Sequence, residues 1–439
     1  MLTAKRLAFI LFFIGLIVRL CLLPTPGSSD LVSYERWGDR TYTSGLAESF
    51  DGVYFPIQYL IFAGVSSLHA QGLVTFEYGI KIVTLLFEIG TLTLLVALTR
   101  KRLAPWIVVG LYWLNPFHFF LSQQGYVDPQ FSFFILLALW LITKASGVRS
   151  WLTAGIPLGV ALLMKPQAIP LFIGLGLLFV VLLFKRQAGA GRLAALALAP
   201  LTLVVLFSIY FGLSLKIENH HTLTNIATAL EQHGVSARMS EFIANSSFLI
   251  AHYAHVPDVM PALNANMPNA WFFVANYVRS PGQPIYRVTD TSTLFGVSYR
   301  SLSLFILLVV IGLFITKIAE NTHSLEELVA LTLLFVPIAV PYLTTSAHEN
   351  HFYFGFMATI VLGAWLRDRL VLYAGYALGV LNALNLFFLY LLPRFTHVPY
   401  DSWARMAIGL ASTTIFFILL YHLLARSYSS VESTPPAHA

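Results

Sequence analysis

Apolar residues in this chain come in repeated runs of about 17 to 24, each long enough to cross the hydrocarbon core of a bilayer as a helix. That constraint precedes all others, because backbone in lipid must satisfy its own hydrogen bonds, and a helix does so within one segment. Composition agrees: 10% of the 439 residues are charged and 57% are hydrophobic, against roughly 25% charged in soluble domains. A soluble enzyme, a nucleic-acid module and a disordered scaffold are excluded. The net charge of +6 is no nucleic-acid signal, since the basic residues sit at helix ends. The single cysteine, Cys21, excludes a disulfide framework, a cysteine zinc cluster and an iron–sulfur site. Lys5 and Arg6 precede an apolar run with no small-residue cleavage site after it, so the first span is expected to be retained.

Windows of about 19 residues place candidate spans near 7–24, 79–99, 103–121, 129–144, 151–163, 167–184, 193–213, 302–316, 326–345, 352–366, 370–392 and 404–424. The expected fold class is therefore an all-α polytopic membrane protein, a bundle of about twelve transmembrane helices with long structured outer loops. The stretch 53–69 is apolar, yet it holds Pro56, Gln58, Ser66, Ser67 and His69. Its Ile57, Leu60, Ile61, Val65 and Leu68 recur at helical spacing, which suits a helix lying in the interface plane.

Charge asymmetry decides the topology. With the N-terminus on the cytoplasmic side, the inner segments hold Lys5, Arg6, Arg100, Lys101, Arg102, Lys144, Arg149, Lys185, Arg186, Arg192, Lys317, Arg367, Arg369 and Arg426. A span at 53–69 would turn the Arg100–Arg102 cluster and the Lys185–Arg186 pair outward, and is rejected. Two long outer segments result, 25–78 and 214–300, dividing the chain into a module at 1–213, the loop 214–300, a second module at 301–426 and a tail at 427–439 read as disordered. The loop is rich in polar side chains, including His220, His221, His233, His252, His255, Asn264 and Asn269. Asn245-Ser246-Ser247 is a glycosylation acceptor pattern.

Once topology is set, four turns with unusual polar residues fall on the outer side: Asp30, Asp128, Lys165 and His348-Glu349. An ionisable residue at membrane depth is costly and is by default a functional candidate. Each has a plainer explanation. Asp30 fits a solvated loop carboxylate, and Asp128 before Pro129 fits a helix cap. Lys165 beside Pro166 fits a side chain snorkelling to the headgroups, and His348-Glu349 a hydrogen-bonded polar turn. Their shared face is what favours a site. A lipid-linked phosphate donor suits such a rim. A lysine or histidine offsets charge developing on the phosphate leaving group, and a carboxylate on the opposite side of the reacting carbon takes the proton of an acceptor hydroxyl. No metal or cofactor is demanded.

At these residues the sequence resembles the multi-span glycosyltransferases of the GT-C fold. The likeness is to the bacterial proteins related to the eukaryotic second GPI mannosyltransferase, and more distantly to the dolichol-pathway glucosyltransferases. Ser29-Asp30-Leu31 with Trp37 and Gly45 looks like the family's first-loop motif, which implies Asp30 as catalytic base. Gly125-Tyr126-Val127-Asp128 looks like its Trp-Gly-Gln-x-Asp turn, with Gln124 where Trp is usual and Tyr126 where Gln is usual. Lys165-Pro166-Gln167 is similar to its Lys-x-Gln segment, which implies Lys165 and Gln167 beside the donor phosphate. Ala347-His348-Glu349 resembles its His-Glu motif, with His348 near the lipid phosphate and Asn350, flanked by His351, in place of the usual basic residue. Asn269-Ala270-Trp271 is similar to an Asn-x-Trp element of the same group.

The resemblance implies a GT-C-like module ahead of a variable back half. It also implies a polyprenyl-phosphate-linked monosaccharide donor, often mannose, with a glycan, lipid or protein acceptor. Two alternatives stay open. A lipid-linked oligosaccharide ligase or polymerase shares the phosphate chemistry. A secondary transporter of about twelve spans would place ionisable residues near the midplane, and Arg19, Lys81 and Glu88 are the residues that favour it. Against transport stand the one-sided clustering of the motifs, the lack of a visible repeat, and outer loops of about 54 and 87 residues.

Overall fold

The computed structural model describes residues 3–50, 54–185, 189–215, 221–259, 261–280, 283, 285–321, 324–391 and 403–428. Arg186, His220 and the tail from position 429 lie outside them. Among the described residues the chain is almost wholly helical, and its one sheet is a two-stranded hairpin, Thr293–Leu294 with Val297–Ser298. The first half runs α1 (Ala4–Leu22), α2 (Asp30–Ser44), α3 (Leu46–Ser49), α4 (Pro56–Ala70), α5 (Phe76–Thr99), α6 (Pro105–Val108), α7 (Pro116–Gln124), α8 (Asp128–Ile142), α9 (Val148–Leu162), α10 (Ile169–Phe184) and α11 (Ala190–Ser214). The long outer segment carries α12 (His221–Gln232), α13 (Ala237–Val259) and α14 (Ala270–Val278). The last part comprises α15 (Tyr299–Asn321), α16 (Leu325–Leu343), α17 (Phe352–Trp365), α18 (Arg369–Leu386) and α19 (Trp403–Ala425).

Helical structure stands at each of the twelve predicted spans, and seven helical segments are long and apolar enough to cross a membrane. The protein is an all-α, multi-pass integral membrane protein. The predicted span 103–121 is broken into α6, a π-helical turn at Val109–Trp113 and α7. Pro116 explains the break: it excludes Asn115 from helical geometry, and Asn115 (ψ 129°) restarts the helix by accepting the Phe117 N–H at 2.9 Å.

α16 and α17 form the centre of the bundle. In α16, 83% of the most apolar stretch is buried, against 22% in α11, which shows lipid a broad face. α9 packs along α11, where Gly155 lets the backbones meet: a Cβ there would stand 2.3 Å from the Leu196 carbonyl oxygen. A second core lies under the first outer loop, where Tyr34, Trp37, Phe50, Tyr54, Phe55, Tyr59 and Phe62 pack together with Phe211 and Phe248.

The helix predicted over 53–69 is α4, but its buried stripe is Gln58, Tyr59, Phe62, Val65 and Ser66, facing α2. Leu60 and Leu68 are exposed. Asn245 of the glycosylation pattern is 1% exposed and its amide donates to the Leu215 carbonyl at 2.9 Å, so it is no acceptor in this fold. Tyr428, assigned to the tail, is buried and donates to the Leu423 carbonyl at 2.8 Å, extending the folded part past position 427.

Candidate active site

The first outer loop is fastened before it delivers Asp30. Lys81 on α5 donates to the Leu23 carbonyl at 3.2 Å, to the Thr25 carbonyl and to Glu77 at 2.7 Å, while Gly27 N–H reaches Glu77 at 2.7 Å. Ser28 N–H donates to the Gln124 carbonyl at 2.9 Å, joining this loop to the turn that carries Tyr126 and Asp128. Below, Glu88 accepts from Arg19 at 2.8 Å and Ser122 at 2.9 Å, so α1, α5 and α7 share one buried ion pair. Glu88 and Lys81 thus act as fasteners, each with its own partners. Asp30 opens α2 half-buried above this base.

Lys165 enters from the turn between α9 and α10. Pro166 forces it into extended backbone (φ −146°, ψ 137°). Its ammonium pairs with Asp128 Oδ1 at 2.8 Å, and Asn350 Nδ2 donates to Asp128 Oδ2 at 2.8 Å. Both Asp128 oxygens are occupied, and the side chains of Asp128 and Lys165 are 1% and 7% exposed. Phe55 and Ile57 N–H groups bond the Met164 and Leu163 carbonyls at 3.1 and 2.9 Å, which lays Tyr54 alongside, its ring 5.5 Å from the Lys165 ammonium. Gln167, two residues on, has both amide atoms shielded and without a partner among the described residues.

The turn that carries His348 is shaped by the long outer segment. Ser346 N–H bonds the Ala262 carbonyl at 2.9 Å, and the Ala265 and Met267 N–H groups bond the Ala347 carbonyl at 3.2 and 3.3 Å. Buried Asp290 accepts from the Thr345 and Ser346 hydroxyls at 3.0 and 3.2 Å and from Arg300 at 3.0 Å. Asn269 and Trp271 act one step removed. They donate to the Pro341 and Leu343 carbonyls at 2.8 and 2.9 Å, satisfying the end of α16 from which the turn departs. Trp37 likewise belongs to the aromatic core, its ring 5.6 Å from Tyr59 and 6.1 Å from Tyr34. Gln124 is buried, its amide donating to Gln123 at 2.5 Å.

Glu349 is buried, and Oε1 accepts from the hydroxyls of Tyr126, at 2.9 Å, and Tyr390. Tyr390 sits on the π-helical extension of α18, Phe387–Leu391. His351 Nδ1 accepts the His348 N–H at 3.3 Å. Burial, then the nearby His348 and Lys165, hold His351 well below the usual imidazole range. It is neutral at pH 7, and offers a ring N–H rather than a positive charge.

These turns meet electrostatically at Asp30. Burial first, then the Glu349 carboxylate, raise its pKa; His348 and Lys165 pull the other way, and Asp128 adds to the rise. Asp128, Lys165, His348 and Glu349, from three distant stretches, therefore all act on the Asp30 carboxyl. Sequence reasoning did not single out Tyr54, Asp290 or Tyr390. Tyr390, in a Phe-Phe-Leu-Tyr run at a span end, reads as an ordinary interfacial tyrosine.

No known family description matches the chain, and no curated protein matches it. A similar solved structure is the archaeal oligosaccharyltransferase AglB from Archaeoglobus fulgidus, in complex with an inhibitory peptide and a dolichol-phosphate, with a TM-score of 0.42 and 13% identity over 96% of this chain. The match covers 56% of AglB, so this chain spans a little over half the length of that protein.

Proposed function

We propose that the protein is a GT-C-like glycosyltransferase that moves a monosaccharide from a polyprenyl-phosphate donor to a hydroxyl acceptor, with inversion. The observation that carries this is the bonding of the four turns to one another: Ser28 N–H, beside Asp30, reaches the Gln124 carbonyl at 2.9 Å, and Asp128 pairs with Lys165 and accepts from Asn350, two residues from His348, each at 2.8 Å. Asp30 takes the proton of the acceptor hydroxyl as that oxygen bonds to the anomeric carbon. The bond from that carbon to the phosphate oxygen breaks, its electron pair staying on the phosphate. Lys165, which keeps two N–H bonds free of Asp128, and His348 offset the charge that develops there, the kind of preorganised stabilisation that dominates many enzymes. Gln167 supplies amide hydrogen bonds to the same group. Mannose is the first sugar to try.

In this reading residues 1–213 form the catalytic module and 301–426 the supporting back half, with the N-terminus cytoplasmic and the site on the outer face. A transporter is disfavoured because Arg19, Lys81 and Glu88 are engaged in fastening α1 and its loop. The test is incubation of purified protein with a panel of polyprenyl-phosphate monosaccharides and candidate acceptors. Release of free polyprenyl phosphate is expected with at least one donor, and its absence with every donor, in the presence of active controls, sinks the assignment.

A further inference from the structure

Glu349 is engaged on one side only. Its side chain is 2% exposed, Oε1 accepts from Tyr126 at 2.9 Å and from Tyr390, and Oε2 is shielded with no partner among the described residues. The two tyrosine hydroxyls are themselves 3.1 Å apart. A buried carboxylate oxygen left without a donor is costly; Glu88 Oε1, at the Arg19 pair, is another among the described residues, but Glu349 Oε2 is the one beside the Asp128–Asn350 contact. Glu349 is tied to the candidate site on both sides: its donor Tyr126 precedes Asp128 by two residues, and its neighbour Asn350 donates to Asp128 Oδ2 at 2.8 Å, on the carboxylate that pairs with Lys165.

The chemistry of the missing donor follows from charge. An ionised phosphate carries acceptors and negative charge; the Glu349 carboxylate repels it, and the Tyr126 and Tyr390 hydroxyl protons are already donated to Oε1. A sugar hydroxyl carries a proton to donate and no charge. The Lys165 ammonium, with the rings of His348 and His351, supplies the donors that an anion needs. We propose that Tyr126, Glu349 and Tyr390 form a hydroxyl-recognition subsite, with Glu349 Oε2 accepting from a ring hydroxyl of the transferred sugar. This rests on the glycosyl-transfer reading and adds to it a division of the site: sugar read by Glu349, phosphate held by Lys165 and His348. Because Tyr390 comes from α18, the back half of the chain contributes to sugar choice.

The test compares two probes on the purified full-length protein in detergent: undecaprenyl phosphate, which has no sugar, and the undecaprenyl-phosphate sugar that the wild type uses, with a series of its single-deoxy analogues. Glu349→Gln keeps shape and removes the charge; Tyr390→Phe keeps the ring and removes the hydroxyl. Affinity for the sugar-bearing probe is expected to fall about 10- to 100-fold in Glu349→Gln, the size of a lost charged hydrogen bond, while undecaprenyl phosphate binds as in wild type. One deoxy analogue is expected to bind the wild type as weakly as the full sugar binds Glu349→Gln, and to lose nothing further in that variant. Tyr390→Phe is expected to show the same selective loss in smaller measure. Equal loss of both probes in both variants, or undiminished sugar binding in Glu349→Gln, overturns the subsite while leaving glycosyl transfer standing. A wild type that binds neither probe overturns the underlying reading and the subsite together.

Discussion

Asp30 loses water on folding and gains two carboxylate neighbours, and both effects favour its protonated form. Between the ordinary carboxylate value and the raised native one, the folded chain binds more protons than the unfolded chain, so stability falls as pH rises through that window and stays lower above it. Asp30→Asn is therefore expected to melt no lower than wild type at neutral pH while turnover falls at least about 100-fold, as a thermal-shift assay and a transfer assay on the same preparation will show. In the proposed reaction the Asp30 base must be ionised, so the acid limb of kcat/KM is expected above the ordinary carboxylate range. Glu349→Gln is expected to move that limb to lower pH, and a limb that stays put in that variant contradicts the coupling. The Lys165–Asp128 pair makes a separate prediction. Lys165→Ala leaves a buried carboxylate held by Asn350 alone and is expected to cost about 3 kcal/mol. Asp128→Ala combined with Lys165→Ala is expected to cost less than the sum of the single changes by at least about 1 kcal/mol in unfolding experiments.

Among the elements, two contacts decide whether the site is assembled. α2 lies so close to α4 that a Cβ at Gly38 would stand 2.8 Å from the Phe62 carbonyl oxygen. Gly38→Val is expected to lower stability by about 1–3 kcal/mol and to weaken turnover, because α2 carries Asp30. The turn with His348 depends on the end of α16, whose Pro341 and Leu343 carbonyls are satisfied by Asn269 and Trp271. Asn269 also caps α14, accepting from Phe272 N–H at 3.3 Å. Asn269→Ala is expected to cost about 1–2 kcal/mol in thermal unfolding and to raise KM for the donor more than it lowers kcat. The Asn-x-Trp element was legible in the sequence, but its work was not. Its partners are carbonyls 72 residues further on, which no local pattern announces.

For the whole molecule the remaining question is sidedness, which hydropathy and charge predict and labelling can measure. Cys21 is exposed and must first become Ser. Single cysteines at positions 29 and 348 are then expected to react with an impermeant maleimide from the outer side only, and cysteines at 101 and 367 from the cytoplasmic side only. Labelling of 29 and 348 from opposite sides contradicts a common rim. By itself the sequence determined where helices stand, including one over 53–69, and the turns that hold Asp30, Asp128, Lys165 and His348, because hydropathy, proline and charge act locally along the chain. Tertiary structure alone decided that Asp128 pairs with Lys165, that Trp37 is core, and that Glu349 is gripped by Tyr126 and Tyr390. Those outcomes follow from burial and from hydrogen bonds between residues dozens to hundreds of positions apart, where packing geometry rather than residue type selects the partner.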